Sequence, residues 1–193
     1  MSNPRKANPK PARDWRIEGL PAHGPASDLR GKLRLFGQFV GRWDIVEHRY
    51  PLSRLRAPGE AHFNWILEGR AIQDVWGSIH PRTHRLIPWG TTIRYYDPHL
   101  GAWRSTWIAP RQKAVRRFIG RKVGSKIILQ EDGRGVRTER WVFSDIRPDS
   151  FRWHALKRQR AGGPWRTVEE MLIQRRADSH RPRGGAKGRS SGR

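Results

Sequence analysis

Period-two alternation, cut at short intervals by turn signals, is the feature that most constrains this chain. In "AHFNWILEG", Ala61, Phe63, Trp65 and Leu67 fall on one face of an extended chain, and His62, Asn64 and Glu68 on the other. "AWRSTWIAP" puts Trp103 and Trp107 on one face, and "FRWHALKRQ" sets Phe151, Trp153 and Ala155 against Arg152 and His154. "WRTVEEMLIQ" places Trp165, Thr167, Glu169, Met171 and Ile173 together. Between such runs stand "RAPGE", "LEGR", "HPRTHR", "YYDPHLGAW", "GRKVGSK", "EDGRG", "IRPDS" and "RAGGP", which carry hairpin chemistry. The spacing predicts about ten strands, at 39–50, 59–68, 70–79, 88–96, 102–109, 114–121, 125–131, 136–146, 149–159 and 165–175. An open sheet of ten short strands would leave two raw edges. An all-β, up-and-down antiparallel barrel is therefore the expected architecture.

One helical signal precedes the strands. Ser27 or Asp28 can cap, and Leu29, Leu33, Phe36 and Val40 recur at helical spacing before Gly37 and Gly41 discourage continuation. This predicts a short helix at about 28–38. The flanks are different. Residues 1–27 are rich in proline and basic residues, and residues 177–193 are rich in Gly, Ser and Arg, so both are expected to be disordered tails around a domain at 28–176.

Charge bounds the partners. The formal net charge is +23, and residues 29–174 keep +15 of it once the flanks are set aside. Such a surface attracts polyanions at low salt without implying specificity. The absence of cysteine excludes a disulfide framework and thiolate metal sites. The N-terminal "MSNPRKANPKPARDW" has no apolar run behind its basic residues, and no window approaches a membrane span, so a cytoplasmic protein is expected.

"FGQFVGRWDIVEHRY" joins the helix to the first strand through a Gly-x-Trp, Gly41 and Trp43. This resembles the entry to the first strand in the lipocalins and the wider calycin barrels. The resemblance implies that Trp43 plugs the closed end, with an arginine from the end of the last strand, Arg175 or Arg176, packed over its ring. "LEGRAIQDVW" followed by "IRYYDPHLGAWRSTWI" is further similar to a bacterial calycin-like family of unknown function. The likeness covers about residues 32–175 and implies a ligand cup without naming the ligand. The related haem-binding barrels use a histidine. Here only His154 sits in a late strand, and its alternation points it outward.

Ten tryptophans are enough to fill a barrel or to line a cavity for a flat apolar ligand. Phe63, Trp65, Trp103, Trp107 and Trp153 are the aromatic candidates. Polar residues on otherwise apolar faces are the other site candidates. Glu169 shares a face with Met171 and Ile173, Arg140 and Thr138 with Val136 and Val142, and Glu47 with Trp43 and Ile45. A buried carboxylate must be paired or protonated, and Glu169 with Arg140 would satisfy each other. Residues 47–49 ("EHR") and Asp74 are candidate acid–base groups. His80 and His84 have a spacing that could hold a metal, yet lack an evident third ligand, so no metal site is expected. No Ser-His-Asp order, phosphate loop or Gly-x-Gly-x-x-Gly is present.

These observations lead to three expectations. The first is a small-molecule binder with a largely apolar or aromatic ligand. The second is a cyclase, isomerase or hydratase on the same barrel, marked by Glu47, Arg140 and Glu169 in one pocket. The third is a nucleic-acid or polyanion binder, marked by a stripe of Arg116, Arg117, Arg121, Lys122 and Lys126. Cofactor, reaction and oligomeric state are left open.

Overall fold

The computed structural model describes residues 17, 19–50, 59–133 and 138–176. A 3-10 turn at Ser27–Leu29 runs into helix α1 (Arg30–Gly37). Ten strands follow: β1 (Gly41–Arg49), β2 (Gly59–Ile66), β3 (Ala71–Ile79), β4 (Leu86–Asp97), β5 (Ala102–Ala109), β6 (Ala114–Val123), β7 (Lys126–Glu131), β8 (Glu139–Ser144), β9 (Ser150–Lys157) and β10 (Arg166–Arg175). Each strand end falls within three residues of its expected place. Every strand pairs antiparallel with its sequence neighbours, and β1 pairs with β10 to close the barrel. Closure gives the strands partners on both sides and leaves no edge to protect. The expected tails at 1–16 and 177–193 lie outside the described residues. Residues 20–26, assigned to the N-terminal tail by composition, run beside the β2–β3 turn. Ala22 and Ala26 donate there to the Trp65 and Gly69 carbonyls at 3.0 and 3.1 Å.

Helix α1 covers one end of the barrel. Leu33 and Phe36, one turn apart on its inner face, are fully buried there. Below them lies an aromatic plug. Phe39 packs against Phe151 at 4.7 Å between ring centroids, Trp43 meets Phe151 edge-on at 4.8 Å, and Phe36 meets Trp103 at 4.9 Å. Such edge and tilted contacts set the positive rim of one ring against the negative face of another.

Gly-x-Trp has a physical explanation here. Gly41 sits at φ +130°, and a Cβ at that position would come within 2.8 Å of the Arg175 guanidinium. Only glycine permits both the backbone and the approach. Trp43 then points into the plug, and its indole N–H donates to the Phe39 carbonyl at 2.6 Å. Arg175 is its partner across the β1–β10 ladder, with the guanidinium carbon 4.0 Å from the centre of the Trp43 ring system. The same guanidinium donates to the carbonyls of Val40, Gln38 and Pro148 at 2.9, 2.7 and 2.9 Å. One side chain thus ties the start of β1, the β8–β9 turn and the end of β10 together. Arg176, the alternative partner, lies on the opposite face and pairs with Asp44 and Glu60.

Two bulges matter for the site. The β1–β10 register shifts between Ile45 and Glu47, and the β10–β9 register shifts between Thr167 and Glu169. Past its bulge, β1 turns His48 inward, at 3% exposure, and Glu47 outward to pair with Arg49. In β10 the bulge separates the inward Glu169 from Trp165, which lies outside beneath the Arg140 and Arg158 guanidinium groups at 4.2 and 4.6 Å.

Candidate ligand-binding site

The barrel is filled at the α1 end and hollow at the other. A cavity of about 410 Å³ is lined from the end of β1, the start of β4, the end of β5, the start of β6, the start of β8, the end of β9 and the start of β10. All of these lie at the end opposite α1. Trp76, Trp89, Trp107, Trp141 and Trp153 form much of its wall. Trp141 is edge-on to Trp107 at 6.0 Å and to Trp153 at 5.3 Å, and Trp153 is tilted against Trp76 at 6.0 Å.

A buried indole N–H needs an acceptor, and this chain supplies one by a repeated device. An acidic residue two positions before the tryptophan shares its face in a strand. Trp76 donates to Asp74 at 2.6 Å, and Trp141 donates to Glu139 at 2.9 Å. Each carboxylate is then neutralised by an arginine from the same wall, Asp74 by Arg94 of the adjacent β4 and Glu139 by Arg116 of β6, two strands away. The two resulting triads differ in depth. Asp74 and Arg94 are at 0% and 1% exposure, whereas Arg116 reaches the surface. Burial pushes the Asp74 carboxyl up and the Arg94 guanidinium down, each effect opposed by the charge of the other.

A third polar group stands at the mouth. His48 Nε2 and Glu169 Oε1 are 2.7 Å apart, and the His48 ring lies between Tyr50 and Trp89 at 4.6 and 5.2 Å. The Tyr50 phenol donates to Glu169. Its own burial, together with that carboxylate, holds it far above the ordinary phenol range. Tyr50 therefore stays a neutral donor at any physiological pH.

Of the residues expected to line the cup, Trp107, Trp153 and Glu169 do so. Phe63 is displaced into the plug, tilted against Phe39 at 5.9 Å. Trp65 lies at α1, so close that a Cβ on Gly37 would come within 2.7 Å of its ring. Trp103 also belongs to the α1 end, edge-on to Phe36. Arg140 is on the outer face, donating to Gln130 at 2.9 Å and stacked on Trp165. The expected Glu169–Arg140 pair therefore does not form. Parity in β8 is the reverse of the expectation: Glu139, Trp141 and Phe143 point in. Val142, whose apolar side chain suggested the opposite, is covered on the outer face. Val136, the other residue behind that expectation, lies outside the described residues. Glu47 is outward because of the β1 bulge.

The remaining candidates have local roles. His154 is on the outer face, 3.0 Å from the Ser144 hydroxyl. His80 Nδ1 accepts from the Thr83 N–H at 3.1 Å and so holds its own loop. Among the described residues no group of three metal-ligating side chains occurs, and no helix among them is long and apolar enough to cross a membrane.

The basic stripe divides. Arg116 turns inward to Glu139. Arg121, Lys122 and Lys126 join Lys32 and Arg34 around a groove of about 770 Å³ beside α1, which no carboxylate lines among the described residues. No protein-family model matches the chain, and no curated protein matches it significantly.

Proposed function

We propose that the protein binds a small, flat, largely apolar ligand in the cup of a calycin-like barrel. The observation that carries this reading is the five-tryptophan wall around about 410 Å³, open at one end of an otherwise filled barrel. That volume suits a small organic molecule, and apolar walls with a few placed polar groups are the usual make-up of such sites. A core built only for stability would be packed through, as the α1 end is. The capping helix and the Gly41, Trp43 and Arg175 arrangement are what the calycin resemblance implies, and they support the same assignment. The catalytic alternative required Glu47, Arg140 and Glu169 in one pocket. Two of the three face outward, so binding is the better supported activity.

The basic groove beside α1 is a specific reason to test polyanions in parallel. Tryptophan fluorescence should be titrated with a neutral apolar dye and with an oligonucleotide, each at about 0.05 and 0.2 M salt. Dye affinity is expected to hold across the two salts, because burial of apolar surface responds little to screening. Oligonucleotide affinity is expected to fall steeply, by about 0.9 log units per log unit of salt for each duplex phosphate contacted. Salt-resistant oligonucleotide binding with no dye binding would reverse the assignment.

A further inference from the structure

Arg94 carries more donors than the protein uses. Its guanidinium lies at the floor of the cup, with its central carbon 4.7 Å from the centre of the Phe36 ring and the Phe63 and Phe143 rings within 6 Å. One nitrogen, Nη2, is spent on Asp74. The buried side-chain polar atoms without a partner among the described residues are Arg94 Nε, Arg94 Nη1 and Ser105 Oγ. Arg94 and Ser105 are direct partners across the β4–β5 ladder, both buried on the inner face. All the unused hydrogen-bonding capacity on that count thus sits at one spot. Three of the cup's five indole N–H groups, those of Trp76, Trp89 and Trp141, already have acceptors at 2.6, 3.2 and 2.9 Å. Buried donors without acceptors are costly, so a concentration of them marks a position meant to be completed.

Charge decides what completes it. The Arg94 charge is already balanced by Asp74, within a fully buried floor. A ligand carboxylate there would place a second anion on one guanidinium, leaving an uncompensated negative charge beside Asp74. A neutral carbonyl oxygen accepts the same hydrogen bonds without that penalty. We propose that the ligand is a flat, uncharged aromatic molecule bearing a carbonyl oxygen, which accepts from Arg94 at the floor with Ser105 beside it. This deepens the ligand-cup assignment and rests on it.

The test compares three probes on one ring skeleton: fluorene, 9-fluorenone and fluorene-1-carboxylate. Affinities for the full-length protein are measured by equilibrium dialysis. Fluorenone is expected to bind about tenfold or more tighter than fluorene, the worth of a hydrogen bond to a charged donor, and to exceed the carboxylate by at least as much. In the charge-neutral double variant Asp74→Leu/Arg94→Met, the ketone preference should disappear while fluorene still binds. Should that variant not fold, the protected Arg94 Nε–H resonance gives the second reading: it should shift with fluorenone and not with fluorene. Equal binding of fluorene and fluorenone overturns this inference and leaves the cup assignment standing. Tightest binding by the carboxylate, or a ketone preference that survives in the double variant, also overturns it. Failure of all three probes to bind removes the cup assignment itself, and this inference with it.

Discussion

Replacing Trp43 with alanine is expected to destabilise the protein by about 3–5 kcal/mol, as measured by urea unfolding. The indole is 1% exposed and has ring contacts with Phe39 and Phe151. Truncation removes that burial and leaves a cavity which a closed barrel, tied on every side by ladder hydrogen bonds, collapses into poorly. It also frees the Phe39 carbonyl and removes the ring over which Arg175 is stacked. The guanidinium keeps its three carbonyl acceptors, so the strap across the barrel end should survive and the fold should persist in weakened form. A loss under about 1 kcal/mol, an ordinary value for any substitution, would mean that Trp43 is not the plug of the closed end.

Arg94→Met is expected to cost about as much, roughly 3–5 kcal/mol, for a different reason. It removes one member of a fully buried ion pair and leaves Asp74 charged with no counter-ion. Burial already pushes that carboxyl up, with Arg94 as the first opposing influence. In the variant the Asp74 pKa should therefore rise further above the unfolded value of about 3.9. A folded-state carboxyl with a raised pKa binds protons that the unfolded state does not, so lowering the pH from 7 toward about 4 should shrink the deficit. The double variant Asp74→Leu/Arg94→Met removes both charges and should be markedly more stable than Arg94→Met alone. Equal instability of the two variants at all pH values would show that Arg94 acts through packing on Phe36 and not through its charge.

Strand number, strand limits, the capping helix and the Trp43–Arg175 stack were legible because each depends on local pattern. Alternation sets strands, Gly and Pro set turns, and Gly41 marks a backbone that no other residue adopts comfortably. The cup was legible only in part. Trp107, Trp153 and Glu169 lie on strands whose alternation holds where they stand. His48 was concealed by a bulge, which inverts every assignment beyond it and leaves no mark in composition. Arg140 was misjudged because outward Val142 looked like a core residue. In a small closed barrel, long arginine side chains on the outer wall cover apolar neighbours. Phe63, Trp65 and Trp103 were right in face and wrong in height. Alternation says which residues point inward. It does not say which end of the barrel is filled, and that was settled by α1 bringing Leu33 and Phe36 down on one of them. A signal for the missed triads was present: Asp74-x-Trp76 and Glu139-x-Trp141 pair an acceptor with a buried indole at the one spacing that puts both on the same face.

Ala155→Phe is expected to close the cup to the proposed ligand. Ala155 lines the cavity on β9, is 3% exposed, and lies across the ladders from Trp141 and Glu169. A phenyl ring at this position would project into the open volume without displacing the plug at the α1 end. Binding of a neutral apolar dye should fall at least about tenfold, a change of about 1.4 kcal/mol. The unfolding midpoint should stay near that of the parent protein, since the ring enters space and not packed core. A folded Ala155→Phe protein that binds the dye as tightly as its parent would show that the dye does not sit in the cup.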